Sequence, residues 1–496
     1  MTTYHQATAA DADVALRAAD ACFDEFRATT PVQRAALLEA IAEGIEALGD
    51  KLIETAHRET ALPVARLQGE RGRTANQARL FAKVILDGTW LDARIDHANP
   101  ERQPLPKPDV RMVMQPVGPV VVFGASNFPL AISVAGTDTV SALAAGCPVI
   151  VKAHSAHPET CALVAAVIKE AVRKTGFPDA VFEMFHGRGQ DIGMALVKHP
   201  LTQAVTFTGS LAGGRAIYDA ACSRPKPIPF YGEMSSTNPV FMLPQALEQR
   251  AGEIAGSFIT SLTMGVGQYC TNPGVILGID SPGWRDFLRQ AGERVAAWAP
   301  ATMLHPGICD AYVAGADHMS KLPGVSLVAK SSQAAGYAQA AAHLFHVSGE
   351  TFLAQDAFRE EVFGPASVAV TCKDWPEMLA IANALDGQLS GSIHGTSEDL
   401  VTHAELVRAL ERSVGRIIFN GYATGIEVCH AMHHGGPYPA TTHAYFTSIG
   451  TAAIRRFVRP VCYQDFPDEC LPAALQNLNS TGSWRLVDGV MTARDR

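Results

Sequence analysis

Val120-Val-Val-Phe-Gly-Ala-Ser-Asn-Phe-Pro-Leu130, entered through Pro119, reads as a short strand, a glycine turn and a helix start. A run with no polar face predicts a strand buried on both sides. Asn127 stands where a helix cap would, with Pro129 in the first helical turn.

The pattern repeats outward. Val149-Ile-Val151 is the next strand, and Pro158 opens a helix over residues 158–175. Residues 181–185 and 204–208 are further strands, each followed by glycine and then a helix, and residues 228–231 close the series. Buried strands alternating with helices predict a parallel α/β sheet. A second alternating region runs from about residue 235 to 439, with Ala366-Ser-Val-Ala-Val370 and Arg416-Ile-Ile-Phe-Asn420 as strands. Upstream, Thr30-Pro31 caps a helix with its stripe at Leu37, Leu38, Ile41, Ile45 and Leu48, and Pro63 opens another running to about Leu86. Residues 98–109 hold four prolines and form an extended linker. Arg456-Phe-Val-Arg-Pro-Val-Cys462 alternates charged and apolar residues, which suits an edge or subunit-bridging strand.

At 496 residues the chain has room for two or three domains. A net charge of -9 offers no electrostatic basis for binding nucleic acid or an acidic membrane. The ten cysteines lie far apart with no C-x-x-C pair, which fits reduced thiols and a cytoplasmic location. The longest apolar window, residues 131–151, is broken by Asp138, Gly146 and Pro148, so a membrane span is not expected. The N-terminus does not read as a secretory signal.

Five segments carry candidate chemistry, and each has an ordinary reading beside the chemical one. Met264-Gly-Val-Gly-Gln-Tyr-Cys-Thr-Asn-Pro273 sets Cys270 among turn-forming residues, where a thiol can meet a substrate; cysteine is otherwise a small apolar filler. Phe207-Thr-Gly-Ser-Leu-Ala-Gly-Gly214 is a glycine-rich strand-to-helix turn, open to an anionic ligand or simply tight; it is not G-x-G-x-x-G. Tyr231-Gly-Glu-Met-Ser-Ser-Thr-Asn-Pro239 puts Glu233 at a strand end, where burial would raise its pKa towards that of a base; a capping acid is the alternative. Arg359-Glu-Glu-Val-Phe-Gly-Pro365 could hold ribose hydroxyls and a planar group, or end a helix. Asn127 could donate to an oxyanion, or cap.

The order Asn127, Lys152, Gly209, Glu233, Cys270, Glu361-Val-Phe363 resembles the motif order of the aldehyde dehydrogenase superfamily over nearly the whole chain. Lys152-Ala-His-Ser-Ala-His-Pro-Glu-Thr160 and residues 227–239 are similar to the branch holding 2-oxoglutarate semialdehyde (2,5-dioxovalerate) dehydrogenases and NADP-linked bacterial fatty aldehyde dehydrogenases. The resemblance implies the aldehyde dehydrogenase fold: a Rossmann-like cofactor domain (residues 1–97 and 117–233), an α/β catalytic domain (234–440) and a β bridging element (98–116 and 441–496).

It further implies that Cys270 attacks the aldehyde to give a thiohemiacetal, that Asn127 and the Cys270 N–H hold the oxyanion, and that Glu233 activates water against the thioester. Lys152 would bind the adenine ribose or its phosphate, Gly209, Ser210 and Gly214 the pyrophosphate and nicotinamide half, and Glu361 and Phe363 the nicotinamide ribose. Ser155 stands where NAD-preferring relatives often carry glutamate, and Arg188 is a phosphate partner, so NADP is expected, with NAD admissible. Phe128, Tyr269, Thr271 and His434 are expected to line the substrate pocket, and Arg79 is the early-helix candidate for a substrate carboxylate. Cys429-His-Ala-Met-His-His434 fits no zinc spacing, so no metal is expected. The implied reaction is oxidation of 2,5-dioxovalerate to 2-oxoglutarate by a homodimer or homotetramer. Its rivals are a broad or fatty aldehyde dehydrogenase, an acylating enzyme using coenzyme A, and a catalytically silent relative.

Overall fold

The computed structural model describes residues 4–495. Its first sheet has five strands in the order Phe182–Phe185, Val149–Lys152, Val120–Phe123, Ala204–Thr208 and Phe230–Glu233, all parallel. Val120–Phe123 and Val149–Lys152 are buried at every position, as their apolar runs predict. The first strand in sequence lies at the centre and the chain winds outward both ways. In such sheets ligands bind beyond the carboxyl ends of the strands, near the point of reversal.

Helices cover both faces. One face packs against Pro31–Ala47, Val64–Asp87, Thr137–Ala145 and Pro158–Lys174. The other packs against Ala9–Arg27 and Leu211–Cys222. Thr30 caps its helix as expected, its side chain accepting from the Gln33 N–H.

A helix does not begin at Asn127. Helical structure starts at Thr137, and residues 124–136 form an irregular loop. Side chains from Val64–Asp87 satisfy the backbone groups that a helix start would have left open. Glu70 accepts from the N–H groups of Leu130 (2.9 Å) and Ala131 (3.0 Å), and Arg66 donates to the Asn127 carbonyl at 2.6 Å. Local cap signals lost to tertiary partners.

The second sheet has seven strands, in the order Ser326–Lys330, His343–Ser348, Ala366–Cys372, Val275–Ile279, Val240–Met242, Gln388–His394 and Val414–Phe419. Only the first of these pairs antiparallel. The third sheet joins distant segments: Val458–Gln464, Val110–Pro116, Arg94–Asp96, Arg485–Val487 and Val490–Thr492. Val458–Gln464 lies at its edge, as its alternation predicts. Arg94–Asp96 belongs to this sheet although it precedes the proline-rich linker. Among the described residues no helix is long and apolar enough to cross a membrane.

Candidate active site

Glu233 ends the last strand of the first sheet and is 4% exposed. Two backbone bonds fix that end: Gly209 N–H donates to the Glu233 carbonyl (3.1 Å), and Met234 N–H donates to that of Ala440 (2.8 Å). Its carboxylate meets His434 Nε2 at 3.2 Å and accepts from the Ser448 hydroxyl at 2.8 Å. His434 Nε2 is also 3.5 Å from the Cys270 sulfur. Thiol, imidazole and carboxylate thus converge, their donor atoms all within 4.8 Å of one another. This spacing could also serve a cation, but both Glu233 oxygens are already hydrogen-bonded, one to His434 and the other to Ser448.

Cys270 is half-buried in the loop after Met264–Gly267. Asn238, in the left-handed region (φ 47°), donates to the carbonyls of Cys270 (2.9 Å) and Asn272 (3.0 Å) and anchors this loop to the second sheet. Gly267 (φ +68°) packs against the Glu361 segment, where a Cβ would lie 2.3 Å from the Gly364 carbonyl carbon. Glycine is required there for the loops bearing Cys270 and Glu361 to touch. Thr271 is buried beside the thiol with no partner for its hydroxyl among the described residues.

The expectation that burial raises the Glu233 pKa is not met. Burial does work against its charge, but the His434 imidazole and the Ser448 hydroxyl outweigh it and hold the carboxyl at about 2, against an ordinary 4.5. Burial and then the neighbouring Glu233 charge push the Cys270 thiol well above its usual value, with Glu361 adding to this and Arg73 opposing it. The resting pair is therefore a neutral thiol beside an ionised carboxylate. Glu361 is pushed up to about 8 by burial and the Glu233 charge, with Ser235 and the Ser236 backbone acting the other way.

Asn127, 7% exposed, meets the loop that bears Cys270: its amide donates to the Gln268 carbonyl at 3.2 Å. Phe128 and Tyr269 meet edge to face at 5.4 Å, beside the two residues they adjoin in sequence, Asn127 and Cys270. Arg79 is elsewhere: it pairs with Glu46 at 2.6 Å on the outer side of its helix. Arg66 and Arg73 on that helix are the ones that reach the Phe128 ring, a placement the sequence reading missed.

A separate cavity lies beyond the carboxyl ends of Val149–Lys152 and Phe182–Phe185. It brings together Lys152, Ser155 and Arg188, with Tyr4, His186 and Gln190. Tyr4 stacks on His186 at 4.3 Å. Burial lowers the Lys152 pKa, Arg188 is exposed, and no carboxylate is among the lining residues. That donor set fits a phosphorylated nucleotide. Ser210 caps Leu211–Cys222, accepting from the Gly213 N–H (3.3 Å), and leaves an exposed helix N-terminus two strands along the sheet from Val149–Lys152. Gly214 has a packing reason: a Cβ there would meet the Met234 side chain at 2.6 Å. Glu361 and Phe363 line a third hollow with Tyr269 and Asn272 on the Cys270 side.

Residues 1–438 match the family described as "Aldehyde dehydrogenase family". The chain is 53% identical to "Alpha-ketoglutaric semialdehyde dehydrogenase 2" of Azospirillum brasilense over 97% of this chain and 92% of that protein. It is 46% identical to "Alpha-ketoglutaric semialdehyde dehydrogenase" of Acinetobacter baylyi, over 99% of this chain and 93% of that protein. Among solved structures, a glyceraldehyde-3-phosphate dehydrogenase of Methanocaldococcus jannaschii complexed with NADP superposes with a TM-score of 0.77 at 18% identity. That superposition covers 94% of this chain and 96% of that one, and bears on the fold alone.

Proposed function

Since the chain belongs to the aldehyde dehydrogenase family and is an NAD(P)-dependent aldehyde dehydrogenase, we propose that it oxidises 2,5-dioxovalerate to 2-oxoglutarate with NADP. The observation that carries the substrate is the 53% identity, over almost the whole chain, to a relative named for that aldehyde.

The side chains support a definite sequence of steps. Cys270 Sγ attacks the aldehyde carbon as its proton passes to Glu233, a carboxylate oxygen of which lies within 4.8 Å of the sulfur. Asn127 exchanges its bond to the Gln268 carbonyl for one to the new oxyanion, joined by the Cys270 N–H. Lys152, Ser155 and Arg188 hold the phosphorylated end of NADP, Gly209, Ser210 and Gly214 its centre, and Glu361 and Phe363 its nicotinamide ribose. When bound, the nicotinamide supplies the hydride acceptor that turns the thiohemiacetal into a thioester. Glu233 releases the thiol proton to solvent, then takes a proton from the water that attacks the thioester carbon and returns it to the Cys270 sulfur, which leaves as the thiol. His434 and Ser448 orient the carboxylate throughout.

We assign the cofactor to the first sheet, the thiol loop to the second, and subunit contact to the open edge of the third. The expected assembly is a homodimer or homotetramer, and a monomer in sedimentation would refute that. Ten unpaired cysteines suit the reducing cytoplasm, where we place the enzyme. The test is a matrix of NADP and NAD against dioxovalerate, hexanal and shorter aldehydes, with Cys270→Ser as control. Preference for hexanal, or residual turnover in Cys270→Ser, would overturn the reading.

A further inference from the structure

Arg66 and Arg73 occupy one face of the helix Val64–Asp87, seven residues and therefore about two turns apart. The Arg66 guanidinium lies over the Phe128 ring at 5.0 Å and the Tyr269 ring at 4.9 Å, and that of Arg73 lies over Phe128 at 5.4 Å. Tyr269 precedes the nucleophile, and Arg73 is close enough to Cys270 to act on its charge. Gly265 (φ +54°) leaves the space that Arg66 fills, since a Cβ there would come within 2.7 Å of its Nη1.

Both cations are short of partners. Arg66 Nη2 donates to the Asn127 carbonyl, but its Nε and Nη1 are shut off from solvent with no acceptor among the described residues. The same holds for Nε and Nη2 of Arg73. Glu70 is the nearby carboxylate, and it acts on both through space. One of its oxygens is committed to Leu130 and Ala131 and the other is buried without a partner, and neither forms an ion pair with either arginine among the described residues. Buried guanidinium N–H groups without acceptors are costly, and they define a place for an incoming anion.

We propose that Arg66 and Arg73 form the subsite for the 2-oxo-carboxylate end of the substrate, making them the residues that select a carboxylated aldehyde. This rests on the dioxovalerate reading above. Four bonds separate the aldehyde carbon of dioxovalerate from its carboxylate carbon, roughly 5 Å when extended. That is the scale on which an aldehyde at Cys270 sets its carboxylate among groups around Phe128 and Tyr269. A planar guanidinium offers paired N–H groups matched to a carboxylate, and the aromatic rings hold it in plane. Arg416 also acts on Cys270, but two of its nitrogens already donate to the carbonyls of Ala423 and Gly425.

The experiment is the ratio of kcat/KM for dioxovalerate to that for hexanal, in wild type, Arg66→Met, Arg73→Met and the two lysine variants. Loss of a charge-assisted contact lowers this ratio on the order of 10- to 100-fold in each methionine variant, with lysine restoring part of it. A ratio within about twofold of wild type removes that arginine from the subsite, since thiol tuning or a structural role lowers both substrates together. If a methionine variant does not fold, its lysine counterpart reads the same ratio against the same limit. A wild type that prefers hexanal overturns the dioxovalerate reading itself and the subsite with it. A wild type that prefers dioxovalerate, with unchanged variants, overturns the arginines alone.

Discussion

Replacing His434 by leucine tests what keeps Glu233 ionised in a buried site. Both residues are almost fully enclosed, at 2% and 4% exposure. Leucine leaves burial and the Ser448 hydroxyl in place but removes the strongest influence lowering the carboxyl. Burial then prevails, and the pKa rises from about 2 past the ordinary 4.5. At 1.36 kcal/mol per pH unit, the interaction lost is about 3 kcal/mol. In the wild type the folded pKa lies below the unfolded one. Its stabilisation is therefore complete above about pH 4.5 and lost as pH falls towards 2. In the variant the sign reverses: a raised folded pKa favours the fold at low pH and penalises it as pH rises through that value. Urea unfolding of both proteins at about pH 5 and about pH 8 reads the difference. The gap between them should widen with pH, and kcat/KM should gain an acid limb in the variant that the wild type lacks above about pH 5. A gap that is the same at both pH values, with superimposable rate profiles, would refute the pairing as the source of the low pKa.

Three further outcomes follow from the geometry. Asn127→Ala should lower kcat on the order of 10²- to 10³-fold, about 2.7–4 kcal/mol, while far-UV dichroism stays unchanged, because the resting side chain gives up one bond to Gln268. Ser155→Glu would set a carboxylate into the cavity of Lys152 and Arg188, so KM for NADP should rise on the order of tenfold with KM for NAD little changed. Gly267→Ala forces a Cβ onto the Gly364 backbone at a left-handed position, and chemical denaturation should show a loss of roughly 2–4 kcal/mol.

Much of the fold was legible because its strands and caps are local events. Thr30-Pro31 and Ser210 announce their helices with side chains that bond within one turn, and Val120–Phe123 has no face to offer water. Asn127 misled for the opposite reason: the partners of its loop, Arg66, Glu70 and Gln77, lie 54 to 61 positions earlier. The three arginines are the sharpest case. At about 100° per residue, Arg66 and Arg73 share a helix face while Arg79 points away from it. That much is readable from spacing. Which face turns towards Cys270 is decided by a helix packing on a loop sixty residues on, and nothing local encodes it. The Glu233 pKa failed similarly, since burial was foreseen but His434 and Ser448 come from more than 200 positions downstream.

The third sheet sets a timetable. Arg94–Asp96 pairs with Arg485–Val487, and His97 N–H donates to Asp488, 391 positions on. The strand Val110–Pro116 likewise finds its outer neighbour only in Val458–Gln464. During synthesis the first strands of this sheet therefore leave the ribosome with open edges and wait for Val458–Gln464 and Arg485–Val487. Ala453, Ile454 and Phe457 also belong to the core beside the first sheet, so even that half is sealed late. The nascent chain therefore carries its first sheet unclosed until Ala453, Ile454 and Phe457 have been made.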